Sequence, residues 1–311
     1  MKSYDVLIIG GGSAGLTAAI YTGRKQLKTG VITQDIGGQT LLTSHIENYP
    51  GFELIPGPEL MVKFQGQATK FGAEFIMGQA SKIDKKGKLF EVELSNGEKY
   101  SGKSIIVAAG KTARRLGVPG EDKFLGRGVS TCATCDAPFF KDKNVAIVGG
   151  GNSALEAADQ LGKIAKKVYL VHRKEEFRAD EITVEKVKKI KNIEIITNAV
   201  PKEIKGDKIV ESLVIEDINS KEKRETKVDG VFVEIGYELS TDWIKKLVKR
   251  NEMNEIEVDN RCRTSQEGVM AAGDVTTVPY KQTVISAGEG AKAALEVYKY
   301  IKGVEVATDW K

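Results

Sequence analysis

The sequence predicts an α/β protein with two Rossmann-like, three-layer dinucleotide-binding domains. Three observations predict this fold. The chain has 311 residues, which corresponds to about two domains. Residues 6–19 have a counterpart at 145–158, at a constant offset of 139, and each copy is an apolar run, a glycine turn and an Ala/Leu-rich helix start. A second β-rich run follows each copy, at 31–33 and at 168–171. The chain therefore contains two predicted βαβ units.

Composition and charge exclude several classes of protein. Hydrophobic residues make up 41% and charged residues 29% of the chain, and no apolar run reaches the roughly 18 residues of a membrane span. The 47 basic and 43 acidic residues leave a net charge of +4, which is too small and too dispersed to predict nucleic-acid binding. The first apolar run contains Asp5 and lacks the basic start and cleavage site of a signal peptide. We therefore expect a cytoplasmic protein without nucleic-acid or membrane partners.

Both glycine turns match the dinucleotide fingerprint G-x-G-x-x-G/A. Its first glycine permits a tight turn, its second lets the backbone approach a pyrophosphate, and its third position packs the helix closely. The anion rests on the N-terminus of the helix, where free N–H groups point at it. The matching residues are Gly10, Gly12 and Gly15 in the first turn, and Gly149, Gly151 and Ala154 in the second. The sequence therefore predicts two bound dinucleotides.

Residues after the second strand of each unit indicate which dinucleotide binds. Asp35 lies 20 residues after Gly15, where a carboxylate accepts hydrogen bonds from ribose hydroxyls and repels a 2′-phosphate. The first site is therefore predicted to bind FAD or NAD.

A basic cluster follows the second strand of the second βαβ unit. Its members are His172, Arg173, Lys174 and Arg178. Guanidinium groups make bidentate, charge-assisted hydrogen bonds to phosphate, so the cluster favours NADPH. The alternative is a solvated basic stretch, which Glu175 and Glu176 would partly neutralise.

Cys132 and Cys135 form a Cys-x-x-Cys pair just before the second glycine turn. Such a pair can be half of a zinc site, a redox disulfide or a coincidence. Zinc would need further ligands, and the remaining candidates, Cys262, His45 and His172, are scattered along the chain. We therefore expect no metal site. A disulfide that exchanges with another protein fits two dinucleotide sites, because a flavin accepts a hydride and can pass its electrons to a disulfide.

Three other residues each have two interpretations. Asp136 follows the second cysteine and could exchange protons with the thiols if burial raises its pKa, or it could be a turn aspartate. Cys262 stands between two arginines, which would lower the pKa of a reactive thiol, but a structural role is favoured because no partner motif accompanies it. A structural role is also favoured for His45.

Further motifs extend through nearly the whole chain. They are Gly37-Gly38-Gln39, Glu47-Asn48-Tyr49-Pro50-Gly51, Ala108-Ala109-Gly110 and Ala271-Ala272-Gly273-Asp274. Together with the glycine turns, the Cys-x-x-Cys-Asp segment and the basic cluster, they make the chain resemble the low-molecular-weight thioredoxin reductases. The resemblance implies FAD in the first unit, NADPH in the second, a redox-active disulfide and a homodimer.

The resemblance also implies roles for individual residues. FAD would contact Gly10, Gly12, Ser13, Ala14, Gly15, Asp35, Gly38, Gln39, Asn48, Gly273, Asp274, Lys281, Gln282 and Thr283. NADPH would contact Gly149, Gly151, Asn152, Ser153, Ala154, His172, Arg173, Lys174 and Arg178. The expected catalytic residues are Cys132, Cys135 and Asp136, with Cys135 facing the flavin and Cys132 facing the substrate.

The sequence departs from the family pattern at two positions. Lys281 and Lys174 stand where arginine is common, and a lysine is a point charge without the guanidinium fork, which weakens the prediction of NADPH over NADH. The C-terminal part is also similar to the flavoprotein subunit of alkyl hydroperoxide reductase. That protein has an additional N-terminal thioredoxin-like region, which we expect to be absent here, so the disulfide carrier would be a separate protein.

Because the family's FAD domain is split, residues 1–114 and 246–311 are predicted to form it, and the NADPH domain, 115–245, is inserted into it and carries the Cys-x-x-Cys pair. The expected function is thioredoxin-disulfide reduction. Electrons would pass from NADPH to FAD, then to the Cys132–Cys135 disulfide, then to thioredoxin or a glutaredoxin-like protein. The alternatives are an NAD(P)H-dependent flavoprotein that reduces a peroxidase-linked disulfide carrier, and a ferredoxin-linked flavoprotein homologue.

Overall fold

The chain forms two compact units. The computed structural model describes residues 1–43 and 46–303. Unit 1 consists of Met1–Thr112 and Leu239–Lys311, and unit 2 is the segment Ala113–Glu238 between them. His45 and residues 304–311 lie outside the described residues.

The second boundary differs from the one expected from the sequence. Residues 239–245, which we assigned to the inserted domain, belong to unit 1. The reason is hydrophobic packing, because Leu239, Trp243 and Ile244 contact the core of unit 1. The first boundary lies between Thr112 and Ala113, two residues before the expected position.

The elements follow in chain order. Residues 2–107 form β1 (Lys2–Ile9), α1 (Ser13–Arg24), β2 (Thr29–Thr33), a 3-10 helix (Gly38–Leu42), α2 (Gly57–Lys70), β3 (Glu74–Met77), β4 (Ala80–Lys86), β5 (Leu89–Leu94) and β6 (Lys99–Val107). Residues 112–238 form β7 (Thr112–Ala113), α3 (Glu121–Phe124), β8 (Val129–Ser130), α4 (Ala133–Asp136), a 3-10 helix (Ala137–Phe140), β9 (Asn144–Gly149), α5 (Asn152–Gly162), β10 (Lys167–Val171), α6 (Glu181–Lys188), β11 (Ile193–Ile196), β12 (Ala199–Lys205), β13 (Ser212–Asp217), β14 (Lys223–Lys227), β15 (Gly230–Glu234) and β16 (Tyr237–Glu238). Residues 242–302 form a 3-10 helix (Asp242–Ile244), β17 (Val269–Ala271) and α7 (Thr283–Lys302).

Unit 1 has a parallel sheet covered on both faces. Its parallel strands lie in the order β3-β2-β1-β6-β17, and β5 and β4 continue antiparallel from β6. Side chains alternate along β1, so Val6 and Ile8 pack with the apolar residues of α1 and α7. Leu7 and Ile9 on the other face pack with Phe90 of β5. Burial of both faces explains why the last four residues of β1, Val6–Ile9, are all apolar.

Unit 2 repeats this three-layer arrangement. Its parallel sheet has the order β11-β10-β9-β15-β8, and a separate antiparallel sheet has the order β12-β13-β14. Ile147 of β9 packs with Leu155 of α5 on one face. Val148 packs with Leu213 of β13 on the other. The helix starts Ser13 and Asn152 are 139 residues apart, so the predicted α/β fold and its internal repeat are confirmed.

Helices α1 and α7 approach closely at one glycine. A Cβ atom on Gly290 would lie 2.1 Å from the carbonyl oxygen of Ala14, whereas one on Gly288, exposed on the same helix, would meet no atom within 4 Å. We expect Gly290→Ala to lower the free energy of unfolding by about 1–3 kcal/mol, because the helices must separate. The matched Gly288→Ala change should raise it by about 0.5–1 kcal/mol, because alanine loses less backbone entropy. Thermal unfolding midpoints of the two variants check this, and a shift of the same sign in both would contradict it.

Candidate functional site

The first glycine turn lies between β1 and α1. A Cβ on Gly10, whose φ is +114°, would lie 2.2 Å from the carbonyl oxygen of Ala108, and one on Gly15 would lie 1.9 Å from that of Gly10. The chain itself therefore requires both glycines. Gly12 differs, because its φ of −78° suits any residue and the nearest atom to an added Cβ is 3.9 Å away. A glycine at this position is what the close approach of a pyrophosphate requires, so the turn fits a dinucleotide.

Asp35 secures the segment that follows β2. Its Oδ1 accepts a hydrogen bond of 2.8 Å from the N–H of Gly38, at the start of the first 3-10 helix. Thr33 acts in the same region, since its Oγ1 accepts a hydrogen bond of 3.0 Å from the N–H of Gly11. Asp35 is exposed, and one of its oxygens holds the loop beside the glycine turn. The sequence predicted its position, but the bond to Gly38 was not foreseen.

Several predicted flavin contacts from distant parts of the chain meet in unit 1. The Nδ2 of Asn48 donates a hydrogen bond of 3.2 Å to Oε1 of Gln282. The hydroxyl of Thr283, at the start of α7, lies 3.5 Å from the hydroxyl of Thr40. A Cβ on Gly273 would lie 3.0 Å from that of Ala14, so the end of β17 adjoins the first glycine turn. Gln39, in the first 3-10 helix, is exposed.

Two carboxyl groups adjoin Gly273, just after β17. Glu289 is buried and Asp274 is partly buried. Burial raises the pKa of Asp274, which accepts a hydrogen bond of 3.3 Å from the hydroxyl of Ser286. Burial also raises the pKa of Glu289, whose Oε2 accepts a 2.6 Å hydrogen bond from the N–H of Gly273. The sequence predicted Asp274 and missed Glu289, because a glutamate on a helix is usually solvated.

Lys281 is paired within unit 1. Its Nζ lies 3.2 Å from Oε1 of Glu255, both side chains are 15% exposed, and the same nitrogen donates to the carbonyl of Thr276. The predicted cofactor contact at Lys281 therefore has a structural partner that sequence motifs did not reveal.

The second glycine turn repeats these requirements in unit 2. A Cβ on Gly149 would lie 2.2 Å from the carbonyl oxygen of Glu234, and Ala154 is fully buried. Gly151 has a φ of −99°, and an added Cβ would meet no atom within 4 Å. The second position of this fingerprint is thus also a glycine that the protein's own packing does not require.

His172 packs against this turn. Its ring stacks on Phe177 with 5.2 Å between centroids, its Nε2 lies 3.0 Å from the carbonyl oxygen of Glu176, and an added Cβ on Gly150 would lie 2.1 Å from the ring. The side chain is buried, and burial lowers its pKa. The predicted phosphate contact His172 is therefore a neutral ring at neutral pH that supports the loop.

The other members of the basic cluster are exposed. Among the described residues, Arg173, Lys174 and Arg178 form no salt bridge, including none with Glu175 or Glu176. Their exposure fits both a phosphate site and a solvated basic stretch, so each interpretation stays a prediction. The side chains of Arg173, Lys174 and Arg178 can bind an anionic group.

Backbone and side-chain hydrogen bonds hold the cluster to the glycine turn. The N–H of Arg178 donates to the carbonyl of Gly150 at 2.7 Å. Asp180 and Asn152 bond reciprocally, since the N–H of Asp180 donates to Oδ1 of Asn152 at 2.8 Å and the Asn152 amide donates back at 3.3 Å. Asn152 therefore anchors the basic segment at the start of α5, whereas Ser153 beside it is exposed.

Cys132 and Cys135 form a disulfide in unit 2, with 5.4 Å between their Cα atoms. It closes a single helical turn, because α4 begins directly after Cys132 and the N–H groups of Cys135 and Asp136 donate to the Cys132 carbonyl at 3.2 and 3.1 Å. Both cysteines are only partly buried, so the pair predicted from its spacing is positioned for exchange.

Three side chains that the sequence did not single out surround this turn. The buried hydroxyl of Ser130 donates to Oδ2 of Asp136 at 2.6 Å and accepts from the N–H of Cys132 at 3.1 Å. Buried Glu234 accepts from the N–H of Ala133 at 3.2 Å, and the Tyr237 hydroxyl donates to the Thr131 carbonyl at 2.8 Å. Ser130 stands two residues before Cys132, which is a weak signal, and nothing in the sequence indicates the other two.

Cys262 is a buried free cysteine. Its thiol is 1% exposed and lies 3.6 Å from the carbonyl oxygen of Glu289. Burial raises its pKa to about 11, so the alternative of an arginine-activated thiol is wrong. No cluster of metal-ligating side chains occurs among residues 1–43 and 46–303.

The chain belongs to the pyridine nucleotide-disulphide oxidoreductase family, whose model matches residues 4–293. The predicted resemblance is confirmed by the thioredoxin reductase of Helicobacter pylori strain J99, which is 41% identical over 96% of this chain and 99% of its own length. The crystal structure of a Streptococcus pyogenes thioredoxin reductase superposes with a TM-score of 0.92 at 39% identity, covering 97% of this chain and 99% of that one.

A second group of relatives is longer. One subunit of the alkyl hydroperoxide reductase of Pseudomonas aeruginosa is 42% identical over 96% of this chain, and the chain spans 58% of that protein's length. Among the described residues, no helix is long and apolar enough to cross a bilayer.

Gly12 and Gly151, the second glycines of the two fingerprints, allow the two nucleotide sites to be tested separately. We expect Gly12→Ala to keep the fold, because an added methyl meets no protein atom closer than 3.9 Å, and to lower the bound flavin per chain severalfold. Gly151→Ala serves as the matched control, with normal flavin content and a weaker affinity for the pyridine nucleotide. Flavin absorbance per chain and nucleotide titration check both. Full flavin content in Gly12→Ala would count against the first site.

Proposed function

We propose that this chain is an NADPH-dependent disulfide reductase that acts on thioredoxin or a glutaredoxin-like protein. The observation that carries the proposal is the Cys132–Cys135 disulfide. It is partly exposed, and it lies in the same unit as the second dinucleotide turn, where the N–H of Ala133 donates to Glu234. A structural disulfide would gain little from such a position, whereas an exchanging one needs access for a partner.

In unit 1, the chain offers a site for FAD. The backbone from Gly10 to Gly15 would hold the pyrophosphate, and the partly buried Asp274 would accept hydrogen bonds from the sugar-like part of the cofactor. Asn48 and Gln282 orient each other and would position the ring. When bound, FAD supplies the chemistry that the side chains lack, because it takes a hydride from a nicotinamide and delivers two electrons to a disulfide.

In unit 2, the exposed trio Arg173, Lys174 and Arg178 would bind the 2′-phosphate of NADPH. Their two guanidinium groups and one ammonium group would make charge-assisted hydrogen bonds to the 2′-phosphate. NADH lacks this phosphate. The bond from Arg178 N–H to Gly150 keeps this segment beside the pyrophosphate-binding turn.

The cysteines would perform the exchange. Two electrons and two protons convert the disulfide into the Cys132 and Cys135 thiols. The Cys132 thiolate then attacks a partner disulfide, which forms a mixed disulfide and releases one partner thiolate. Cys135 attacks the Cys132 sulfur, re-forms the original bond and releases the second partner thiolate. Asp136, held by Ser130, would accept protons from the two thiols and pass them to the leaving sulfurs.

The relatives support the choice of partner and assembly. The match to a protein named thioredoxin reductase extends over 99% of that protein's length, which supports a thioredoxin-like partner. We also propose a homodimer, as the family resemblance implies, and a location in the cytoplasm, as expected from the first apolar run of the sequence.

A second candidate function is reduction of a peroxidase-linked disulfide carrier with NADH or NADPH. It is favoured by the 42% identity to the alkyl hydroperoxide reductase protein. It is also favoured by the lysine at position 174, because the guanidinium group of an arginine there would bind the 2′-phosphate better. A ferredoxin-linked function is disfavoured, because both cysteines and the second nucleotide turn are intact.

The disulfide assignment can be tested by replacing one cysteine. We expect Cys135→Ser to retain flavin bleaching by NADPH under anaerobic conditions and to lose more than 99% of thioredoxin reduction, because no disulfide can form. The matched control, Cys262→Ser, should keep normal turnover, since this cysteine is buried away from exchange.

Thioredoxin turnover by Cys135→Ser would contradict the assignment. Turnover of the unmodified protein with a peroxidase carrier but not with thioredoxin would select the second candidate, and no bleaching by either nucleotide would select the ferredoxin-linked alternative.

Nucleotide preference can be tested on the basic trio. We expect Arg178→Gln to raise the KM for NADPH about 10- to 100-fold and to change that for NADH little, because one charge-assisted phosphate contact of about 1.5–3 kcal/mol is lost. Glu175→Gln, in the same exposed loop, should leave both values within about twofold. Equal increases for NADPH and NADH would show that Arg178 does not read the 2′-phosphate.

A further inference from the structure

The amides on either side of the Cys132 carbonyl are already occupied by the chain's own oxygen atoms. The N–H of Cys132 donates to the Ser130 hydroxyl at 3.1 Å, and the N–H of Ala133 donates to Oε1 of Glu234 at 3.2 Å. Amides at the start of a helical turn are the groups that commonly stabilise a cysteine thiolate. Here they are committed elsewhere, and one of their partners is a carboxylate.

Glu234 brings this carboxylate into a buried position. The residue is 8% exposed and ends β15, where it pairs in register with Gly149 of β9. Its side chain reaches the amide that directly follows Cys132, across 101 residues of sequence. Charges in a buried environment are poorly screened, so a carboxylate at this position acts strongly on a sulfur of the adjoining residue.

We infer that Glu234 is a positioning residue that holds the disulfide turn and makes the Cys132–Cys135 bond harder to reduce. Reduction adds two electrons and two protons to the disulfide, and loss of a proton from Cys132 then gives the attacking thiolate. The carboxylate repels that thiolate and occupies an amide that would stabilise it. The reduced form is therefore less stable, and it transfers its electrons to a partner disulfide more readily. This inference rests on the proposed redox role of the disulfide.

Removal of the charge tests the inference directly. The full-length holoprotein is equilibrated anaerobically with mixtures of reduced and oxidised dithiothreitol, in which the dithiol is oxidised as the protein disulfide is reduced. The reduced fraction is then trapped by alkylation and counted by mass spectrometry of the Cys132–Cys135 peptide. Glu234→Gln keeps an oxygen that can accept from Ala133 and removes only the charge. We expect about a tenfold shift of the equilibrium toward the dithiol, equivalent to about 30 mV.

Two further variants separate charge from packing. Glu121→Gln is the matched control, because Glu121 is also a buried carboxylate of unit 2 that accepts two backbone hydrogen bonds, at 2.9 and 2.8 Å from Leu116 and Gly117. It should leave the equilibrium within threefold of the unmodified protein. Glu234→Asp keeps the charge but has a shorter reach toward Ala133, so it should shift the equilibrium less than Glu234→Gln does. If Glu234→Gln does not fold, Glu234→Leu removes the same charge and takes its place.

A shift below threefold in the charge-removing variant, or an equal shift in Glu121→Gln or Glu234→Asp, would overturn the inference. The proposed function fails in a different way. If dithiothreitol and NADPH both leave the disulfide of the unmodified holoprotein intact, the bond is not a redox centre, whatever the variants do.

Discussion

The constraint on which the rest of the structure depends is the close approach of backbone to backbone at the two glycine turns, where β1 and β9 end. An added Cβ at Gly10 or Gly149 would lie 2.2 Å from a carbonyl oxygen of the neighbouring parallel strand, that of Ala108 or of Glu234. Only glycine permits this approach. Because the strand, turn and helix are packed so tightly, α1 and α5 begin just after the carboxyl ends of β1 and β9. The free N–H groups at the helix N-termini can bind an anion there.

Within unit 2, the same strand end serves both the nucleotide turn and the redox turn. The carbonyl of Glu234 lies over Gly149, and its carboxylate holds the amide after Cys132. The disulfide is thus built onto the dinucleotide-binding framework rather than onto an independent loop. The polar side chains around it, Ser130 and Glu234, bond to its backbone and hold the shape of the turn.

Much of the fold and the site could be predicted because its signals are local. Each glycine fingerprint covers six residues, and the cysteine spacing covers four, so neither depends on distant packing. Residues whose roles depend on a partner were harder. His172 belongs to a basic motif but supports the loop as a buried ring, and Lys281 pairs with Glu255. The boundary between Glu238 and Leu239 differs from the expected one because apolar packing, which the family resemblance does not specify residue by residue, decides which unit a segment joins.

The sequence by itself determined the two βαβ repeats, the spacing of the cysteine pair and the position of the basic segment. It did so because strand and helix periodicity, turn geometry and short motifs depend on neighbours along the chain. Only the tertiary structure decided which distant groups meet. The contacts of Asn48 with Gln282 and of Ala133 with Glu234 join residues 234 and 101 positions apart. Such contacts arise when buried polar groups must find hydrogen-bond partners in three dimensions, and no spacing along the chain records that requirement.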